Sequence, residues 1–153
     1  MCIRDRLEKV LTPNHYNIIN SAYAIYYANK PLELIKALQN KFLSNNGKII
    51  ISGPTWPHDL YTLIVNQFGE NLDITNTINF MEKTLTPYLQ NIFGTYELHY
   101  LNNKTQFNSN EEVVAFIKST TYGAHIDVKE LELYIKSLKK LEFRKTSIAA
   151  IFS

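Results

Sequence analysis

Cysteine is almost missing from this chain. Cys2 is the only one, so no disulfide forms within the chain and no cysteine-built metal site exists. That scarcity fits a reducing compartment, and a cytoplasmic location is the expectation. Glycine is also scarce, at five residues in 153. The chain has no Gly-x-Gly-x-x-Gly turn, no phosphate-cradling P-loop, no Gly-x-Ser-x-Gly elbow and no His-Glu-x-x-His helix. His15, His58, His99 and His125 are spaced too widely for a local metal motif. Charge of one sign is lacking as well. A net charge of +2 gives no argument for nucleic acid, and the short basic run Lys139-Lys140 with Arg144-Lys145 reads first as solvated surface. No apolar run approaches the roughly 20 residues that cross a bilayer as a helix.

What is present is an ordinary globular balance, 45% hydrophobic and 20% charged, in a length that suits one core. Met1 to Arg6 (Met-Cys-Ile-Arg-Asp-Arg) look like translated sequencing-adapter read-through. The expectation is that residues 1–6 are not native and that the protein continues upstream; they are excluded from fold reasoning.

The chain is organised around residues 16–53. Tyr16-Asn17-Ile18-Ile19-Asn20-Ser21-Ala22-Tyr23 is rich in β-branched and apolar side chains at its start and reads as a buried strand. Pro31 fits a first helical turn, and Leu34, Ile35, Leu38 and Phe42 follow at helical spacing. Ser44-Asn45-Asn46-Gly47 is the expected helix stop, with Gly47 at positive φ. Lys48-Ile49-Ile50-Ile51-Ser52 is an unbroken apolar run, as in a strand covered on both faces of a parallel sheet. Strand, helix and parallel strand make a right-handed crossover.

Pro13 and Asn14 read as a turn leading into the first strand. Further on, Pro54 and Pro57 predict a loop over 54–57. Helices are expected from His58-Asp59 to Gly69, over 73–84, and again from Thr86-Pro87 to Phe93. Residues 95–101 alternate as a strand, and Asn102-Asn103-Lys104 reads as a turn. Ser109-Asn110-Glu111-Glu112 is a capping box, and Asp127 with Glu130 is a second cap. Residues 146–152 close the chain as a strand.

The stretches Tyr16-Asn17-Ile18-Ile19, then Asn20-Ser21-Ala22, then Ile25-Tyr26-Tyr27, and finally Leu43 to Ile51 resemble the second half of a class I S-adenosylmethionine-dependent methyltransferase. Asn17 stands where that family carries an acid, and Asn45-Asn46 where it carries Pro-Gly. The resemblance covers about residues 7–153 in outline, best over 16–55. It implies an α/β fold: the C-terminal half of a Rossmann-like methyltransferase sheet, mixed, about four strands, the last one antiparallel, with covering helices. The implied order is 16–23, 48–53, 146–152, 95–101, with 55–93 as a helical cap or insert.

The same resemblance implies S-adenosyl-L-methionine as cofactor, with Asn20, Ser21, Ala22 and Tyr23 forming one wall of its site at the carboxyl end of a strand. Read as residues alone, these four are turn residues ending a strand. Tyr26, Tyr27, Trp56 and His58 are candidates for the substrate side. Core packing for at least one of the two tyrosines, loop packing for Trp56 and helix capping for His58 stand as the plainer alternatives. The family's glycine-rich loop has no counterpart in the chain, so the isolated chain is expected to be inactive, with its parent a methyltransferase for an unknown acceptor. An exposed first strand would favour self-association. A non-catalytic α/β interaction module, and another Rossmann-like fragment such as half a dehydrogenase, remain the other readings.

Overall fold

A computed structural model describes residues 15–69, 72–93 and 95–153. The expected turn at Pro13-Asn14 and the segment 1–6 lie outside those residues. Four strands form one mixed sheet: β1 (Tyr16–Ala22), β2 (Leu43–His58), β3 (Tyr96–Gln106) and β4 (Glu142–Phe152), in spatial order β1-β2-β4-β3. β1 and β2 run parallel, with Ile19 opposite Ile49 and Ser21 opposite Ile51. β4 lies antiparallel between β2 and β3. The order and directions expected from the sequence are those observed.

Helix α1 (Pro31–Phe42) makes the crossover. Pro31 starts it, and Leu34, Ile35 and Leu38 bury its inner stripe. Gly47 does not stop it at positive φ as expected, because the chain is already extended at Leu43 and 43–47 belong to β2. The need for glycine there is steric: a Cβ would lie 2.7 Å from Leu43 Cδ1 and 2.9 Å from the Tyr16 carbonyl oxygen. The predicted loop at 54–57 is also strand, since β2 continues to His58. β1 pairs no further than Ser52, so the prolines cost no hydrogen bond on that side.

Helix α2 (Asp59–Phe68) ends at Gly69, which takes φ +86° and donates its N–H to Val65 O. Helix α3 (Leu72–Asn79) runs through a π-helical stretch (Phe80–Leu85) into α4 (Thr86–Ile92). Pro87 has no N–H to give, and the wider turn before it is closed by Thr86, whose N–H and Oγ1 both reach Met81 O. The turn expected at 102–104 is instead mid-strand in β3, where pairing with residues 144–146 of β4 outweighs local turn preference. Helix α5 (Asn110–Ser119) is capped as expected, Glu112 N–H donating to Ser109 Oγ at 3.3 Å. In α6 (Val128–Leu138), Glu130 N–H donates to Asp127 Oδ1 at 3.0 Å.

Two apolar clusters result. One fills the sheet face under α1, the π stretch and α4, with Ile49, Ile51, Ile148, Ala150, Met81, Leu85 and Leu89 at its centre. The other gathers α2, α3, α5 and α6 around Phe143 at the carboxyl end of β2. Residues 55–93 therefore divide: 55–58 are strand, α2 and α3 join the second cluster, and Phe80–Phe93 joins the first. On the opposite sheet face Ile18 is 64% exposed. Among the described residues no helix is long and apolar enough to cross a membrane.

Candidate functional site

β2 outlasts β1. After Ala22 the chain leaves the sheet through Tyr23, which takes φ +54° while its N–H still donates to Ser52 O at 2.8 Å. A bulky residue in the left-handed region is strained, and such strain is concentrated at functional sites. A single 3-10 turn, Ile25–Tyr27, follows and lays Tyr26 against Tyr27 with ring centroids 4.6 Å apart. On β2 the register slips: Pro54 faces Ser147 and His58 faces Lys145, so four steps on β2 span two on β4. This bulge, which holds the cis Trp56-Pro57 peptide, turns His58 inward at the start of α2.

Here the structure leaves polar atoms unpaired. Among the described residues, the buried side-chain polar atoms without a partner are Ser21 Oγ, Thr55 Oγ1 and His58 Nδ1. All three lie on the carboxyl halves of β1 and β2, where open α/β sheets bind ligands. Orphaned buried atoms elsewhere are rare, so their concentration at this edge marks a site.

A cavity of about 170 Å³ opens at His58, the one of these three residues in its lining, with Tyr23, Tyr26, Tyr27, Tyr61, Tyr122, Phe116 and Phe143 together with Arg144 and Lys145, and with no acid. His58 is 4% exposed and stacks on Tyr61, centroids 4.0 Å apart and rings inclined by 19°. Burial, reinforced by the Lys145 charge, lowers its pKa from 6.5 to about 4, so the ring is neutral at physiological pH. Tyr61 meets Tyr122 edge to face at 4.9 Å. Burial raises the pKa of Tyr122 to about 12 and pushes Tyr26 and Tyr61 further up, so these phenols keep their protons. Lys145 Nζ lies 4.7 Å from the Tyr23 ring centroid, and the Tyr23 hydroxyl bonds to Ser147 Oγ. Arg144 is engaged by Asp59, which accepts its backbone N–H at 3.0 Å and also bonds Lys140 Nζ at 2.7 Å.

The candidates from sequence separate spatially. Tyr23, Tyr26, Tyr27 and His58 meet in the cavity. Trp56 is not in its lining and is 37% exposed. Asn20 and Ala22 are exposed on the open sheet face, whereas Ser21 is buried on the α1 side with its partner Ile51. His58 occupies the cap position of α2 without a side-chain capping bond; its carbonyl accepts from Thr62 Oγ1 instead. Sequence reasoning missed Tyr61, Tyr122, Phe143 and Lys145. The available signal was the count of ten tyrosines, and the basic run at 144–145 read as surface.

No protein-family profile and no curated protein matches the chain. Solved structures do. A protein of Bacillus halodurans C-125, described as a candidate methyltransferase, overlaps 93% of this chain at 14% identity and a TM-score of 0.50. The chain spans 65% of that protein's length. The MccD protein overlaps 92% of this chain and 63% of its own, at 14% identity and a TM-score of 0.43. PKMT2 from Rickettsia typhi, solved in complex with AdoHcy, overlaps 93% of this chain and 37% of its own, at 15% identity and a TM-score of 0.30. The last two overlaps are too loose to argue from. The fold, a mixed four-stranded α/β sheet with flanking helices, is one that the Bacillus halodurans structure shares.

Proposed function

We propose that the chain belongs to an S-adenosylmethionine-dependent methyltransferase and holds its acceptor side and one wall of its cofactor site. The observation that carries this reading is the sheet itself: two parallel strands joined by α1, with the final strand inserted antiparallel beside them, overlapping a candidate methyltransferase over 93% of the chain. The residues at the carboxyl end of β1 fit one edge of a cofactor. Ser21 Oγ is buried and unpaired, and the turn at Tyr23 brings the backbone close. Asn20 and Ala22 are exposed on the opposite sheet face, so that wall rests on Ser21 and Tyr23. When bound, the cofactor supplies a methyl group already activated on sulfonium, so the protein's share is orientation and exclusion of water. His58, neutral and with Nδ1 unpartnered, can orient the acceptor through one hydrogen bond and is no strong base.

By itself the 153-residue chain has no glycine-rich strand-to-helix turn, and we expect weak cofactor binding and no turnover from it. The test is the coding sequence upstream of Leu7. A strand–Gly-x-Gly–helix stretch there, with saturable S-adenosylmethionine binding by the extended protein, is the expected result. A native start at Leu7 without such binding overturns the reading. The second reading, a non-catalytic interaction module, is favoured by one observation: Tyr16 and Ile18 stand exposed on edge strand β1.

A further inference from the structure

We infer that the cavity beside His58 binds a single aromatic ring carrying an oxyanion, a phenolate or an aryl carboxylate. The inference rests on the methyltransferase reading only in making this ring the methyl acceptor; as a binding site it stands alone.

Size comes first. At about 170 Å³ the cavity is close to the ~150 Å³ engineered cavity known to take benzene, so it has room for one ring. Shape agrees, because the walls are rings: Tyr26, Tyr61, Tyr122 and Phe143 offer faces and edges for stacking.

Charge decides the chemical class. The lining carries no carboxylate, and its two cations, Arg144 and Lys145, oppose a cationic ligand. Lys145 lines the cavity with its ammonium over Tyr23, and among the described residues no carboxylate bridges to it, whereas Asp59 holds Lys140 and Arg144. A free ammonium beside phenols that stay protonated is a donor set for an anion. His58 adds a buried ring whose Nδ1 lacks a partner. With its pKa lowered to about 4 by burial, that ring is a poor base for a phenol, and the cavity suits a ligand that arrives ionised. Lys145 provides for that, by favouring the anionic form of whatever enters.

The probe is 4-nitrophenolate, whose visible absorption shifts on transfer to a protein site. It is titrated into the 153-residue chain at about pH 8.5, where the probe is ionised and His58 neutral. Nitrobenzene serves as the uncharged control of like size and phenyltrimethylammonium as the cation. We expect saturable binding of the phenolate, at least about tenfold tighter than nitrobenzene, and none of the cation. Lys145→Met keeps the aliphatic stem and removes the charge. It should weaken the phenolate about tenfold and leave nitrobenzene unchanged, which also reports an intact cavity. Equal binding of phenolate and nitrobenzene, binding of the cation, or a phenolate affinity indifferent to Lys145→Met overturns the inference. Phenolate binding by a protein that takes no S-adenosylmethionine even when extended upstream would keep this site and remove the methyltransferase reading. The converse result would remove this site alone.

Discussion

Lowering the pH should destabilise this protein through His58 before any carboxylate is involved. The perturbation is a shift from about pH 7.5 to about pH 5, applied to the wild type and to His58→Phe. In the folded state the pKa of His58 is about 4 against 6.5 for the free side chain, because burial disfavours the imidazolium and Lys145 repels it. The sign follows. A folded pKa below the unfolded one means the unfolded chain binds the proton first. The stability linked to neutral His58 is whole above pH 6.5 and drains away as pH falls toward 4. Integrated down to pH 5 the loss is about 2 kcal/mol, and below pH 4 it reaches about 3 kcal/mol.

The groups facing His58 do not blur this window. Asp59, which pulls the His58 pKa slightly upward, has its own lowered by Lys140 and Arg144 and stays ionised at pH 5. Tyr61 and Tyr122 stay protonated. The Lys145 charge is already part of the His58 shift. Phenylalanine at 58 keeps a ring on Tyr61 and cannot titrate. For a chain of this length about 2 kcal/mol is about 4–8 °C in melting temperature. Scanning calorimetry at the two pH values should show that extra fall in the wild type and not in His58→Phe. Equal falls in both proteins would refute the assignment of a buried neutral histidine.

Gly123→Ala should cost about 3 kcal/mol in urea unfolding, because its Cβ would sit 2.0 Å from the Ile117 carbonyl oxygen, which is backbone and cannot swing aside. A variant as stable as the wild type would mean that the 120–124 turn is not where the structure puts it. Leu89→Ala should cost about 2–5 kcal/mol, since Leu89 is fully buried in the cluster under the sheet, and a loss below about 1 kcal/mol would contradict that packing. Light scattering should find the wild type associating through edge strand β1, and Ile18→Glu, which places a carboxylate opposite Lys48, should reduce it. Unchanged association would exonerate that edge.

The sheet was legible in the sequence because its signals were long and mutually consistent. The crossover from β1 through α1 to β2 carries β-branched runs on both sides of a proline-started helix, and the caps at Ser109 and Asp127 are local hydrogen-bond chemistry that tertiary context did not override. The errors fall where pairing across the sheet defeated local preference. Asn102-Asn103-Lys104 is turn-like in isolation, yet eleven residues of β3 pair with β4 without interruption. The prolines at 54 and 57 are breakers in isolation, yet one side of β2 needs no partner there. The site was half legible. Tyr23, Tyr26, Tyr27 and His58 were in reach because they follow strand ends. Tyr61, Tyr122 and Lys145 come from α2, the turn after α5 and β4, and no local spacing links them.

That division has a structural cause. A binding site at a sheet edge needs a gap, and the gap here comes from unequal strands. β1 stops at Ala22, opposite Ser52, while β2 runs six residues further. In those six residues one side of β2 has lost its neighbour, so backbone positions that would have been committed to pairing are released. Proline occupies two of them, and the bulge spans residues 55–57. The slip carries His58 into register with Lys145, an alignment that an unbroken antiparallel ladder would have given to Trp56. A histidine is thereby buried beside an ammonium, an arrangement that disfavours the imidazolium. Removing the slip would put indole in the cavity and His58 outside it. The two residues that lengthen β2 relative to β4 thus do as much for the site as any side chain that lines it.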